Sequence, residues 1–227
     1  MSKIILYHGS NEKIEKPLFG KGKVYNDYGQ GFYCTEHIDL AKEWSCNEGV
    51  DGFANTYEFD TSGLKILNLS SEEYTILHWL ALLMENRCFR VSTPVMRRGV
   101  QWLKNNFLVD ISEYDLIIGY RADDSYFSYA RDFLQNGISV KRLAQVMKLG
   151  NLGNQIVLIS PKAFSQIKFV GYEEAPREIH FPLRKKRDEL ARLSYLSDKK
   201  GKDFDPNDIL MIDIMRGEIK ADDPRLR

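Results

Sequence analysis

Six short runs of apolar and β-branched residues punctuate the first three quarters of this chain: Ile4–His8, Phe32–Cys34, Thr56–Asp60, Leu116–Ile118, Gln155–Ser160 and Ile167–Val170. Each is bounded by glycine, proline or polar residues, which is how strands announce themselves. The intervals between them carry helical signals. Thr35 is placed to cap a helix running to about Cys46, and Ser70-Ser71-Glu72-Glu73 has the form of a capping box ahead of Tyr74, Leu77, Ala81 and Met84. Thr93-Pro94 opens a helix with Val95, Val100, Leu103 and Phe107, and short helices are expected after Asp123-Asp124 and after Ser139. Strands separated by helices demand an α+β fold. From about Pro182 the composition changes. Arg184-Lys185-Lys186-Arg187 begins an amphipathic helix with Leu190 and Leu193, and Pro206–Met215 reads as a last short helix. The reading therefore divides the chain into a body, 1–182, and a helical C-terminal extension, 183–227. Leu190, Leu193, Ile209 and Ile212 are expected to dock the extension onto the body, the more common outcome, or else onto a partner.

At 227 residues, with 43% hydrophobic and 28% charged residues, the chain is long enough to bury a sizeable core. Lys+Arg and Asp+Glu are both 32, so no global electrostatic grip on nucleic acid is expected. The longest uncharged apolar run, near Ile76–Met84, is less than half of the roughly 20 residues that span a bilayer. The first residues lead into a strand with no secretory h-region. Cys34, Cys46 and Cys88 are odd in number and widely spaced, and His8, His37, His78 and His180 form no HxxxH pair. The expectation is a cytoplasmic protein with reduced thiols, no metal and no membrane contact.

Two segments carry recognisable chemistry. Leu6-Tyr7-His8-Gly9-Ser10 is a strand ending in an imidazole followed at once by glycine. Gly9 permits close backbone approach to a flat ligand, its N–H and C=O suit a carboxamide, and His8 can donate to a ribose hydroxyl while neutral. Gly29-Gln30-Gly31-Phe32-Tyr33 is the second, with Trp44 eleven residues beyond Tyr33. Two facing aromatics make a slot for a planar, electron-poor ring. Each segment taken alone is also accounted for by packing: a strand-end histidine satisfied by a neighbouring carbonyl, and aromatics that belong to the core.

Together, these residues resemble the ADP-ribosyltransferase superfamily, on its diphtheria-toxin and poly(ADP-ribose) polymerase side. The likeness rests on His8-Gly9-Ser10, on Gly29-Gln30-Gly31-Phe32-Tyr33 and on Trp44. Residues 4 to about 172 are also similar to a bacterial family of ADP-ribosyltransferase-like proteins, often encoded beside small partners in the manner of toxin–antitoxin pairs. The resemblance implies a split pair of packed, mainly antiparallel sheets forming an NAD+ cleft, with inserted helices and a helical tail. It implies that His8 holds the nicotinamide ribose, that Gly9 holds the carboxamide, that Tyr33 and Trp44 sandwich the ring, and that Ser10 and Gly31 belong to the same NAD+-binding set. The helix serine that assists the carboxamide in the polymerases falls at Ala41. The family's glutamate on a late strand falls at Gln155, which keeps an acceptor and loses the charge, a change worth about 3–4 kcal/mol of transition-state stabilisation.

Asp123 and Asp124 are the first substitute acids to consider, against their reading as helix caps. Glu173-Glu174 reads as a solvated turn, and Glu178 as a surface residue on a possible terminal strand. Gly20-Lys21-Gly22-Lys23 lacks the setting of a P-loop, but is a basic loop that could lie near a pyrophosphate. The implied function is an NAD+-dependent mono-ADP-ribosyltransferase of the kind that serves as a toxin, using NAD+ as co-substrate and a protein or nucleic acid as acceptor, with a small antitoxin-like partner protein. The alternatives are a catalytically weak NAD+ or ADP-ribose binding module, favoured by Gln155, and an NAD+ glycohydrolase.

Overall fold

The computed structural model describes residues 3–88, 91–121, 124–147, 153–199, 205, 207–217 and 219–226. Two sheets form its frame. The first has the order β1 (Lys3–Ser10), β3 (Gly52–Asp60), β7 (Ile167–Ala175) and is antiparallel throughout. The second has the order β2 (Phe32–Cys34), β6 (Asn154–Leu158), β5 (Leu116–Tyr120), β4 (Ile66–Asn68), with β4 parallel to β5 and the other pairs antiparallel.

The second sheet is covered on both faces, which explains why its strands read as continuous apolar runs. Phe32, Cys34, Leu116, Ile156 and Leu158 pack against Leu6, Tyr57 and Phe59 of the first sheet. Ile117, Val157 and Tyr33 point the other way, into a larger core with the helices α2 (Ile76–Asn86), α3 (Pro94–Phe107), α4 (Asp124–Leu134) and α5 (Val140–Val146). Trp79, Leu80, Met96, Leu103, Tyr129, Phe133 and Leu143 fill that core. The helix α1 (Ile38–Ser45) lies against β1 and β3.

Most caps form where the local chemistry puts them. Thr93 accepts from the Met96 N–H with Pro94 in the first turn, and Ser139 accepts from the Arg142 N–H. Ser160 caps a single turn, α6 (Pro161–Ser165), at the break between β6 and β7. The expected capping box at Ser70 does not form. Asn68, at the end of β4, accepts from the Ser70 and Ser71 backbone N–H groups through its side chain and carbonyl, so the chain turns there instead. The helix starts after Thr75, whose side chain caps it and whose N–H donates to His78 Nδ1.

The C-terminal helix starts earlier than expected. α7 (Arg177–Lys199) contains both Pro182 and Glu178, so Glu178 lies in a first helical turn and not on a strand. The 182/183 boundary falls within this one helix. Pro182, its sixth residue, falls beyond the free N–H groups of the first turn, so the bond a donor there would make to the Glu178 carbonyl is missing while the helix continues through it. The docking residues also differ from those expected. Leu190 and Leu193 are more than half exposed, while Ala191 and Tyr195 are buried. Tyr195 Oη donates to Asp132, Tyr129 Oη donates to the Ala191 carbonyl, and Arg187 holds Glu43 of α1 with contacts of 2.7 and 2.9 Å. Ile209 is buried, as expected, ahead of α8 (Met211–Met215).

Candidate functional site

Among the described residues one isolated bridge, Tyr7 to Thr35, joins the edges of the two sheets, and the edges part immediately beyond it. Tyr7 N–H donates to the Thr35 carbonyl at 2.8 Å and Thr35 N–H to the Tyr7 carbonyl at 2.9 Å. A continuing antiparallel ladder would next pair Gly9 with Tyr33. Instead the Tyr33 carbonyl accepts from His8 Nδ1 at 2.7 Å. Backbone groups two residues apart on a strand face the same edge. The N–H and C=O of Gly9 therefore face the edge on which Tyr7 bonds Thr35, and no described strand pairs with them there. Ser10 Oγ is engaged locally, accepting from the Glu12 N–H.

Glycine at position 9 has a packing cause. A Cβ there would lie 2.1 Å from the Ala41 carbonyl oxygen and 2.9 Å from the Ser45 nitrogen, both backbone atoms of α1. Ala41, the position matched to the polymerase serine, is fully buried. Gly31 is likewise held by β6: a Cβ there would meet Val157 Cγ1 at 2.7 Å and the Leu158 oxygen at 2.9 Å.

His8 stacks on Phe32, with ring centroids 4.3 Å apart. Burial lowers its pKa below the ordinary 6.5, outweighing the opposing effect of the Tyr33 carbonyl. The neutral ring gives its one proton to that carbonyl, so it presents Nε2 as an acceptor. The expectation that neutral His8 donates to a ribose hydroxyl is corrected accordingly: the hydroxyl must be the donor. Folded His8 binds a proton less readily than the unfolded chain does. Its contribution to stability is therefore present above pH 6.5 and drains away as the pH falls through the folded value. Melting temperatures measured from pH 7.5 to 5 should fall, and the slope should flatten in His8→Gln. A residual slope should remain from His180, whose pKa is also lowered by burial.

Behind Tyr33 lies a polar cluster of which sequence reading found Gln155 and missed Asp27 and Arg87. Gln155 is 4% exposed, and its Nε2 donates to Asp27 Oδ2 at 2.8 Å. Asp27, 5% exposed, comes from the loop between β1 and β2, and its Oδ1 lies 3.6 Å from Arg87 Nε. The Arg87 guanidinium sits over the Phe127 ring at 4.8 Å. Tyr28 fixes the loop here: its hydroxyl donates to the Tyr120 carbonyl at 2.6 Å, lying across Gly119, where a Cβ would be 2.3 Å from that oxygen. Gly119 is the residue opposite Gln155 in the β5–β6 ladder. Tyr33 Oη donates to the Gly29 carbonyl at 2.6 Å and accepts from the Tyr28 N–H at 3.1 Å. Burial pushes its pKa well up, with Asp27 adding to the shift and Arg87 opposing it.

The structure thus brings His8, Gly9, Tyr33 and Gln155 to one end of the sheets, His8 touching the backbone of Tyr33 and Tyr33 sharing the field of Asp27 with Gln155. Trp44 is on α1, and the Arg121 guanidinium stands 3.5 Å from its ring centre. No ring contact joins Tyr33 to Trp44 among the described residues, and a ligand ring stacking on Trp44 has to use the other face or displace Arg121.

Asp123 lies outside the described residues, and Asp124 is the first residue of α4. Glu173 pairs with Lys42 at 2.8 Å. Gly20 and Gly22 are tied back by Gln30, whose Nε2 donates to both carbonyls. Burial pushes the Cys34 thiol far up, which keeps it protonated. An open polar cavity lined by Ser92, Ser128, Arg131, Asp132 and Gln135 lies among other elements and includes none of these residues. Among the described residues no three His, Cys, Asp or Glu side chains gather as metal ligands, and no helix is long and apolar enough to cross a membrane.

Residues 4–169 match the family described as "Protein of unknown function (DUF3990)". No match is found among curated proteins or among solved structures.

Proposed function

We propose that this chain, which belongs to the DUF3990 family, is an NAD+-dependent mono-ADP-ribosyltransferase. The observation that carries this reading is the parted strand edge. Gly9 offers one N–H and one C=O side by side, the complement of a carboxamide, next to a neutral imidazole with Nε2 open to accept. In this reading Gly9 N–H donates to the carboxamide oxygen and Gly9 C=O accepts from its NH2. His8 Nε2 accepts from a ribose hydroxyl, and Tyr33, pinned at its hydroxyl by Gly29 and Tyr28, holds a face of the ring. Gln155 lies on the same face of its sheet as Tyr33, with its amide ordered by Asp27. These residues orient the dinucleotide and support positive charge on the ribose as nicotinamide departs, while a nucleophile from a macromolecule takes the anomeric carbon.

The test is nicotinamide release from labelled NAD+ by the purified protein, alone and with bacterial lysate. Release with label transferred to a lysate component is the expected result, and Tyr33→Ala should lower the rate about 30-fold through lost ring orientation. Release without transfer in any lysate would establish a glycohydrolase instead. Gln155 supports one further reading, because it carries no charge of its own: NAD+ binding without release would identify a binding module.

A further inference from the structure

We infer that residues 16–26, in the loop between β1 and β2, form a surface for single-stranded nucleic acid and present that strand as the acceptor to the site beside them. The acceptor role rests on the transferase reading above; the surface itself does not. From Lys16 to Asn26 the chain holds three lysines and no acid. Leu18, Phe19, Val24 and Tyr25 are all more than half exposed, and Tyr25, at 68%, is the most exposed large apolar side chain among the described residues. Lys16, Lys21 and Lys23 are exposed as well, and none of them joins an ion pair among the described residues. Exposed apolar side chains gathered in one segment mark an interaction site.

The fold ties this segment down beside the site. Gln30 Nε2 donates to the Gly20 carbonyl at 2.7 Å and to the Gly22 carbonyl at 2.9 Å, and the Lys21 N–H donates to the Leu18 carbonyl at 3.2 Å. Gly22 lies against Gly31, so closely that a Cβ on Gly22 would be 2.3 Å from the Gly31 oxygen. Gly31 adjoins Phe32, the ring on which His8 stacks. Phe19 packs edge-on against Phe164, whose ring centre is 6.2 Å from that of Phe32. Lys21 and Lys23 thus flank a backbone contact next to the histidine side of the site. The exposed acids nearest in sequence, Glu12 and Glu15, precede the segment, and Asp27 beyond it is buried beside Arg87.

The residue types select the occupant. Lysines alternate with the apolar side chains here instead of forming a rim around them. A partner protein that buried Phe19 and Tyr25 would bury lysine with them, and lysine is depleted from the cores of protein interfaces. Each nucleotide of a single strand offers a flat base and a phosphate, so it satisfies a ring and an ammonium group together. In a duplex the base faces are already stacked on one another, which leaves nothing for the rings to take. In the reaction, the bond between the ribose anomeric carbon and the pyridinium nitrogen of NAD+ breaks, and its electron pair leaves on neutral nicotinamide. A lone pair of a base nitrogen or sugar hydroxyl on the strand forms the new bond to that carbon, and the proton it carried passes to water.

The experiment follows the fluorescence anisotropy of mixed-sequence single strands, RNA and DNA, with the full-length parent, Tyr25→Ala, Tyr25→Phe and Lys21→Gln/Lys23→Gln. The side chains changed are exposed, so the variants should keep the parental melting temperature. The parent should bind with Kd below about 100 μM at about 50 mM salt, and more tightly than it binds the matching duplex. Tyr25→Ala should weaken binding about 10-fold, and Tyr25→Phe, which keeps the ring, should stay within about twofold of the parent. Lys21→Gln/Lys23→Gln should flatten the slope of log K against log salt by about 1.4. Label transferred from NAD+ in lysate should be freed by nuclease and not by protease, with ribonuclease and deoxyribonuclease telling which strand carries it. A parent that binds no single strand or binds the duplex equally, a Tyr25→Ala that binds as the parent does, or label freed by protease overturns the inference and leaves the transferase reading standing. So does a lysine variant whose KM for NAD+ rises while its strand binding is unchanged, because the lysines then serve the dinucleotide. A parent that binds single strands through Tyr25 and releases no nicotinamide overturns the transferase reading and the acceptor role, and leaves the surface established.

Discussion

Replacing Gly9 with alanine should lower the melting temperature by about 6–12 °C in the absence of any ligand. The added Cβ would sit 2.1 Å from the Ala41 oxygen, 2.9 Å from the Ser45 nitrogen and 3.0 Å from the Ala41 carbonyl carbon. All three are backbone atoms of α1, so no side chain can rotate away, and either β1 or α1 has to move. Overpacking of this kind costs about 3 kcal/mol, and for a chain of this size each kcal/mol shifts the midpoint by about 2–4 °C. Gly171→Ala is the control. It also lies in a strand, but its Cβ would meet nothing within 4 Å, so its change should stay within about 0.5 kcal/mol. Differential scanning calorimetry on the two variants separates a clash at α1 from a general intolerance of alanine in these strands. Equal midpoints would show that β1 and α1 do not approach as described. The same contact makes Gly9 a residue with two duties: it lets the helix pack against one side of the strand while its peptide groups stay open along the edge.

Arg187→Ala should cost about 3 kcal/mol, through the group it leaves behind. Glu43 is 4% exposed and receives two contacts from the Arg187 guanidinium, at 2.7 and 2.9 Å. Removing one partner of a buried pair strands the other charge, at a typical cost of 3–5 kcal/mol. The lower end applies because Arg187 itself is 31% exposed. The double variant Glu43→Gln/Arg187→Ala should recover most of the loss, since no charge is then left unpaired. Urea denaturation of the parent, both single variants and the double variant measures the coupling directly. Additive losses would mean that the Glu43–Arg187 pair does not help to hold the tail, leaving that to contacts such as those of Ala191, Tyr195 and Arg184. A coupled result makes α7 part of the folded body, tied to the same α1 that supports Gly9 and carries Trp44.

Short-range chemistry was legible in the sequence. Thr93-Pro94 and Ser139 form the expected caps, because a hydroxyl two or three residues ahead of a free N–H needs nothing from the rest of the chain. The failure at Ser70 has the same origin. Asn68 competed locally for the same donors, and the true cap moved to Thr75. Leu190 and Leu193 were misread because a helix with apolar residues around much of its surface does not say which side faces the body. Glu43, Tyr129 and Asp132 decided that from elsewhere in the chain.

The candidate site divides along the same line. From the sequence alone came a strand carrying His8, though it runs on to Ser10 and does not stop at the imidazole, with glycines at positions 9 and 31, an aromatic at position 33 and a neutral amide at position 155. Residue identity and order determine these, and folding does not change them. The tertiary structure alone decided that Gly9 faces the backbone of α1, that the one proton of neutral His8 goes to the Tyr33 carbonyl, and that Asp27 is the buried acid on Gln155. Asp27 is one of 32 acidic residues, in a loop of lysines, tyrosines and glycines, with no local pattern to distinguish it. Its significance comes from burial, which turns an ordinary solvated carboxylate into the fixed partner of Gln155 and Arg87. Burial is set by where a loop closes over a strand 128 residues away.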